Sequence, residues 1–124
     1  MEFLRFCAVG TLGFVADSSI TLMMTQALGL GPTVGRIVAF VTAATLTWQL
    51  NRRYTFRSSA GRASWVPYVV LTSVGALINI GAYRVWIGLA GTSPAQIILG
   101  IALGSVAALT FNYFVSRQFV FFRR

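Results

Sequence analysis

The chain has 124 residues, of which 56% are hydrophobic and only 10% charged, against about 25% charged in an ordinary soluble domain. So few charges could not cover a water-facing surface on a chain of mean hydropathy +0.76, so the bilayer is its expected solvent. The net charge of +8 comes from arginines at the ends of apolar runs rather than along one face, which argues against nucleic acid as a partner.

The same composition excludes most covalent chemistry. All ten basic residues are Arg, there are two acids, and His is absent. Cys7 is alone, so it reads as an apolar packing residue with no intrachain disulfide and no Cys/His metal cluster. No Ser, Thr or Cys has an evident base, and no phosphate loop is present. The expectation is a protein that is not an enzyme and uses no cofactor.

Four apolar runs follow in chain order: Phe3–Leu28, Thr33–Tyr54, Trp65–Ala90 and Pro94–Phe119. Each reaches the ~20 residues that cross a hydrocarbon core as a helix. The first carries Asp17 and lacks a small-x-small cleavage site, so it reads as a span rather than a cleaved leader. The connections GLGP (29–32) and GTSP (91–94) combine Gly and Pro, which break helices, and Arg57–Ser64 is polar and basic.

Charge placement sets the expected topology. Arg52, Arg53, Arg57 and Arg62 surround the middle connection, Arg5 lies near the N-terminus, and Arg123 and Arg124 end the chain. The other two connections carry no charge. By the positive-inside rule both termini and the middle loop face the cytoplasm. Aromatic and arginine residues at the ends of the exit helices (Tyr54, Phe56, Phe119, Phe121, Arg123 and Arg124) read as interfacial anchors.

The chain also repeats itself. At an offset of 62, Phe6 meets Tyr68, Gly13 meets Gly75, Asp17 meets Asn79, Gly29 meets Gly91 and Pro32 meets Pro94. With three further residues inserted, Arg52 meets Arg117, Tyr54 meets Phe119 and Phe56 meets Phe121. The fold class expected is an all-α membrane protein of four transmembrane helices. They form one domain of two parallel-repeat helical hairpins, about 3–56 and 65–121, with both termini cytoplasmic.

Polar residues inside these runs mark candidate function, because a bilayer forces them to face protein, water or headgroups. Thr47 and Asn51 align with Asn112 and Ser116, each pair spaced i, i+4 on one helix face, with Arg52 and Arg117 following. Asn51 and Asn112 are read two ways, as helix–helix hydrogen-bonding groups or as part of a site for an anionic headgroup with Arg52, Arg53 and Arg117. Asp17 lies about 21 Å along its helix from Phe3 and must be protonated, paired or facing water. Arg36 and Arg84 fall near the outer ends of the second and third helices. They either snorkel outward or supply the partner for Asp17, with Arg84 placed to reach inward as readily as outward. Asn79 is the repeat counterpart of Asp17. Small residues, including Gly100-x-x-x-Gly104, allow close helix packing.

RFCAVGTLGFVAD at 5–17, LNRRYTF at 50–56 and FNYFVSRQFVF at 111–121 together resemble the GtrA-like family over nearly the whole chain. Thr47 and Ser116 stand where that family often has Asn. The resemblance implies movement of a polyprenyl-phosphate-linked monosaccharide across the cytoplasmic (inner) membrane for cell-surface glycans. It also implies roles for Asp17, Asn51, Arg52, Arg53 and Asn112. The partners expected are the lipid-linked sugar, the membrane, a glycosyltransferase and a second copy of the chain. Two other functions fit the same features: a non-transporting anchor for a glycosyltransferase, and a small proton-coupled cation exporter built around Asp17.

Overall fold

The computed structural model describes residues 1–29 and 31–122. Arg123 and Arg124, read above as part of a basic cluster and as anchors, lie outside the described residues. The described chain is helical: α1 is Glu2–Leu22, α2 Pro32–Leu50, α3 Trp65–Ala90 and α4 Pro94–Val115. Three helices run on into a single wider π-helical turn, at Met23–Ala27 after α1, Asn51–Thr55 after α2 and Ser116–Val120 after α4. A short 3₁₀ turn, Arg62–Ser64, leads into α3.

The breakers act where the sequence placed them. Gly29 and Gly91 take left-handed φ values of 64° and 90°, which cost glycine little. Pro32 and Pro94 then occupy the first turns of α2 and α4, where a missing N–H costs nothing. Ser93 caps α4 by accepting from the Gln96 amide at 3.4 Å.

With their adjoining turns, Glu2–Ala27, Arg62–Ala90 and Pro94–Val120 are long and apolar enough to cross a membrane, with mean hydropathies of 1.5, 1.5 and 1.8. Four such spans were expected, and α2 falls outside this set among the described residues. Arg36, Gln49 and its threonines lower its hydropathy. Part of that polarity is hidden, since Thr42 and Thr45 return their hydroxyls to the carbonyls of Val38 and Val41 at 2.8 and 2.7 Å. Large apolar side chains point outward on every helix, among them Phe14, Ile37, Leu77 and Val106. A water-soluble bundle would bury such residues, whereas lipid accepts them.

α1 packs mainly on α2, and α3 on α4. Contacts between helices follow the repeat. A Cβ on Gly13 would meet the Thr47 methyl, and one on Gly75 would meet the Asn112 amide. Gly35 and Gly100 are likewise matched, lying against Met24 and Trp86, at 3.4 and 3.1 Å from where a Cβ would stand. Gly100 and Gly104 both face α3, so the GxxxG face is used inside the chain and is not open to a second copy.

The buried aromatic cluster sits at one end of the bundle, where the N-terminus, the middle connection and the end of α4 converge. It comprises Phe6, Trp48, Phe56, Tyr68, Tyr113, Val120 and Phe121. Phe56 and Phe121 stack at 5.1 Å between centroids and 19° between planes. Both had been read as interfacial anchors, yet each is only 2% exposed. The π turns explain the difference. Phe56 N–H donates to Asn51 O and Phe121 N–H to Ser116 O, both at 2.8 Å and both spaced i→i+5. One extra residue in the turn rotates the following side chain by about 100°, from the lipid face to the interior. Tyr54 and Phe119 do face outward, 54% and 70% exposed.

The α3–α4 seam yields a test of this packing. A Cβ on Gly104 would stand 2.6 Å from the Asn79 backbone oxygen, which cannot rotate away. Gly104→Ala should therefore destabilise the bundle by about 1–3 kcal/mol in detergent unfolding. Gly88→Ala, with nothing within 4 Å, should be neutral or slightly stabilising.

Candidate functional site

A cavity of about 250 Å³ lies between the two helical pairs. Its walls include Phe6, Asp17, Thr47, Asn51, Tyr68, Asn79 and Asn112, with small residues of α1, α2 and α4 opening the space. From Phe6 to Asp17 the cavity follows α1 for about 16 Å, roughly half of a ~30 Å hydrocarbon core. Four of the residues singled out in the sequence, Asp17, Asn51, Asn79 and Asn112, share this one space.

The two halves treat their polar ledges differently. In the first half the groups form a chain: Thr55 Oγ1 donates to Asn51 Oδ1 at 2.8 Å, and Asn51 Nδ2 donates to the Tyr68 hydroxyl at 3.1 Å. Tyr68 in turn donates to Thr47 Oγ1 at 3.0 Å. Asn51 is 1% exposed, so its amide holds helices together as well as lining the cavity. In the second half the Tyr68 counterpart is Phe6, which has no hydroxyl. Asn112 Oδ1 and Ser116 Oγ are buried without a hydrogen-bond partner among the described residues. A buried acceptor without a partner costs ~1–3 kcal/mol, so the second ledge is the less well satisfied of the two.

Deeper in, Asp17 Oδ2 accepts from Arg36 Nη1 at 3.0 Å, and the same nitrogen also reaches Thr21 Oγ1 at 3.4 Å. Arg36 is thus the partner of Asp17. Arg84 is exposed and forms no ion pair among the described residues. The reason lies in the pairing of helices: α2, which carries Arg36, packs on α1, whereas α3 packs on α4. Asp17 Oδ1 is buried, lines the cavity and has no partner among the described residues. Asn79, its counterpart, lies against Gly104.

The arginines after the ledges do not form one group. Arg52 lines two adjoining surface pockets, one with Arg62 and one with Arg53 and Arg57. Arg117 lies in a different pocket, beside Glu2, and its Nε pairs with Glu2 Oε1 at 3.3 Å. Sequence reasoning grouped Arg117 with Arg52 and Arg53; among the described residues Arg117 lines a pocket with Glu2, and Arg52 and Arg53 line another. Arg57 sits in the left-handed region at φ 47°, a conformation that costs a residue with a Cβ. It closes a Schellman-type end in which Ser58 N–H bonds to Arg52 O at 2.8 Å.

Several contributors were missed in the sequence. Tyr68 had been noted only as an aromatic repeat position, and its hydroxyl organises the first ledge. Trp48, Gln49, Arg62 and Trp65 line the Arg52 pocket. Trp48 stands one helical turn before Arg52 in the sequence, but only the chain reversal at Arg57–Ser64 brings Arg62 and Trp65 beside it. Among the described residues no group of three or more Asp, Glu, Cys or His side chains could hold a metal.

The model for the GtrA/DPMS transmembrane domain matches residues 5–121, so the chain belongs to that family. No solved structure matches it.

Tyr68→Phe tests the first ledge. It leaves the Asn51 amide without its acceptor in a buried position and should cost about 1–3 kcal/mol in detergent unfolding. Tyr54→Phe, on the outward face, should change stability by less than about 0.5 kcal/mol.

Proposed function

We propose that this GtrA/DPMS-family membrane protein carries a polyprenyl-phosphate-linked monosaccharide across the cytoplasmic membrane, with both termini and the middle connection inside. In this reading all four helices span, with α2 tolerated because its arginine is paired and its threonines bond back to the backbone. The observation that carries the proposal is the cavity between the helical pairs, lined by Asp17 and Asn112, whose Oδ1 atoms are buried without a hydrogen-bond partner among the described residues.

The physical problem is the cost of moving a charged, hydroxyl-rich head through hydrocarbon, many kcal/mol when nothing replaces water. Arg52 and Arg53 hold the phosphate at the inner face, because guanidinium forks match phosphate oxygens. The sugar hydroxyls pass the Asn51, Asn112 and Asn79 amides, which both donate and accept. At the far end Arg36 is held by Asp17, about 22 Å along α2 from Asn51. An arriving phosphate competes with Asp17 for that guanidinium, so the acid neutralises the arginine when no lipid is present. The polyprenyl tail stays in lipid throughout. No covalent step is involved.

Flipping in proteoliposomes tests this reading. The sugar head of an added polyprenyl-phosphate monosaccharide is followed from one leaflet to the other. Transport by the parent is expected. Arg52→Ala/Arg53→Ala and, separately, Asp17→Asn should each lower it about tenfold or more, the scale of one lost charge-assisted hydrogen bond. If the folded parent moves none of several sugars, translocation is wrong and a membrane anchor for a glycosyltransferase replaces it.

A further inference from the structure

The two halves align in sequence and share matched helix contacts, so the places where they part company are informative. In the second half Tyr113 donates its hydroxyl to Glu2 Oε1 at 3.0 Å, and Glu2 also pairs with Arg117. The counterpart of Tyr113 is Trp48 and that of Glu2 is Ser64, and the contact is kept: Trp48 Nε1 donates to Ser64 Oγ at 3.0 Å. What is lost is the acid. Arg52, the counterpart of Arg117, lies over the Trp48 ring at 5.1 Å and forms no ion pair among the described residues.

The neighbours diverge in the same sense. Phe114 and Phe3, which pack on Tyr113, correspond to Gln49 and Trp65, and Arg62 is added. The result is a pocket of about 480 Å³ lined by Thr45, Trp48, Gln49, Arg52, Arg62 and Trp65. The pocket is open to the surface. Trp65 is fixed in place, since its Nε1 donates to Thr45 Oγ1 at 2.9 Å and it packs on the aromatic cluster. Two guanidinium groups, an amide and the half-buried Trp65 indole are the chemistry of a sugar phosphate: forks for phosphate oxygens, an amide for hydroxyls, and a flat apolar ring for a pyranose face. Arg52 also lines the adjoining pocket with Arg53 and Arg57, so a phosphate at Arg52 would be bordered by both.

We propose that this pocket is the docking site that recognises the sugar as well as the phosphate of the lipid head, and that the repeat-related position is closed by Glu2. The proposal rests on the function given above and adds a place and a selectivity to it. The headgroup is held at the surface between α2 and the start of α3 before it enters the central cavity. Arg52 takes the phosphate, Arg62 supports it, and Trp65 with Gln49 reads the sugar.

The test is binding of the full chain in nanodiscs, measured by thermophoresis, with polyprenyl-phosphate-glucose and with polyprenyl phosphate lacking sugar. The parent should prefer the sugar-bearing lipid by about tenfold. Trp65→Leu and, as a second variant on an exposed side chain, Gln49→Phe should each erase that preference while keeping the sugar-free affinity. Arg52→Gln should weaken both lipids by about tenfold, and Arg117→Gln by clearly less. An unchanged preference in both Trp65→Leu and Gln49→Phe would overturn the proposal, as would equal effects of the two arginine variants. Equal competition by phosphatidylglycerol would reduce the pocket to a general anionic-lipid contact and also overturn it. Leaflet-to-leaflet transport is followed on the same proteins. Transport without the expected binding pattern sinks the pocket alone, and the pattern without transport sinks translocation alone.

Discussion

Two π-helical turns meeting face to face organise this molecule. The i→i+5 bonds at Asn51–Phe56 and Ser116–Phe121 turn Phe56 and Phe121 inward, where they stack between the two helical pairs. Phe6 and Tyr68 flank that stack at 5.9 and 5.8 Å, each from the helix that opens its own repeat. This contact ties together the one end of the bundle that is filled with large side chains. Away from it, small residues bring α1 to α2 and α3 to α4, while the space between the pairs stays open. A widened turn at a functional site is a familiar use of the π-helix, since one extra residue re-aims everything after it.

The polar groups follow from the same arrangement. Backbone and side-chain polar atoms in hydrocarbon must find partners inside the protein. The first half does so through the Thr55–Asn51–Tyr68–Thr47 chain. In the second half Phe6 stands where Tyr68 stands in the other, and Asn112 Oδ1 and Ser116 Oγ have no hydrogen-bond partner among the described residues. The second ledge is therefore the less well satisfied of the two. The two repeats share a frame, and differences at a few positions give their ledges different surroundings.

Electrostatics divides the halves in the opposite direction. Glu2 neutralises Arg117, whereas Ser64 leaves Arg52 against an indole ring. An arginine stacked on an aromatic face keeps its forked donors for an anion. Arg36 is held by Asp17, and that acid keeps its second oxygen in the cavity lining. The two arginines therefore differ: among the described residues Arg52 forms no ion pair, whereas Arg36 is held by an acid.

How much of this was legible beforehand depends on how local each feature is. Helix ends are set by nearby Gly, Pro and apolar run length. The expected spans accordingly lie within a residue or so of the observed helices with their π turns, and the repeat offsets of 62 and 65 reappear as matched helix contacts. The need to accommodate Asp17 was equally plain, since any carboxylate at that depth requires it. What the sequence by itself determined was an all-helical, lipid-compatible chain built twice over, with its polar residues on defined faces. The choice of Arg36 over Arg84, the inward turn of Phe56 and Phe121, and the separation of Arg117 from Arg52 were decided by tertiary structure. Each depends on helix rotation and on which helices are neighbours. A π turn leaves little mark in hydropathy, and the reversal that carries Arg62 and Trp65 back to Arg52 is a property of the folded chain.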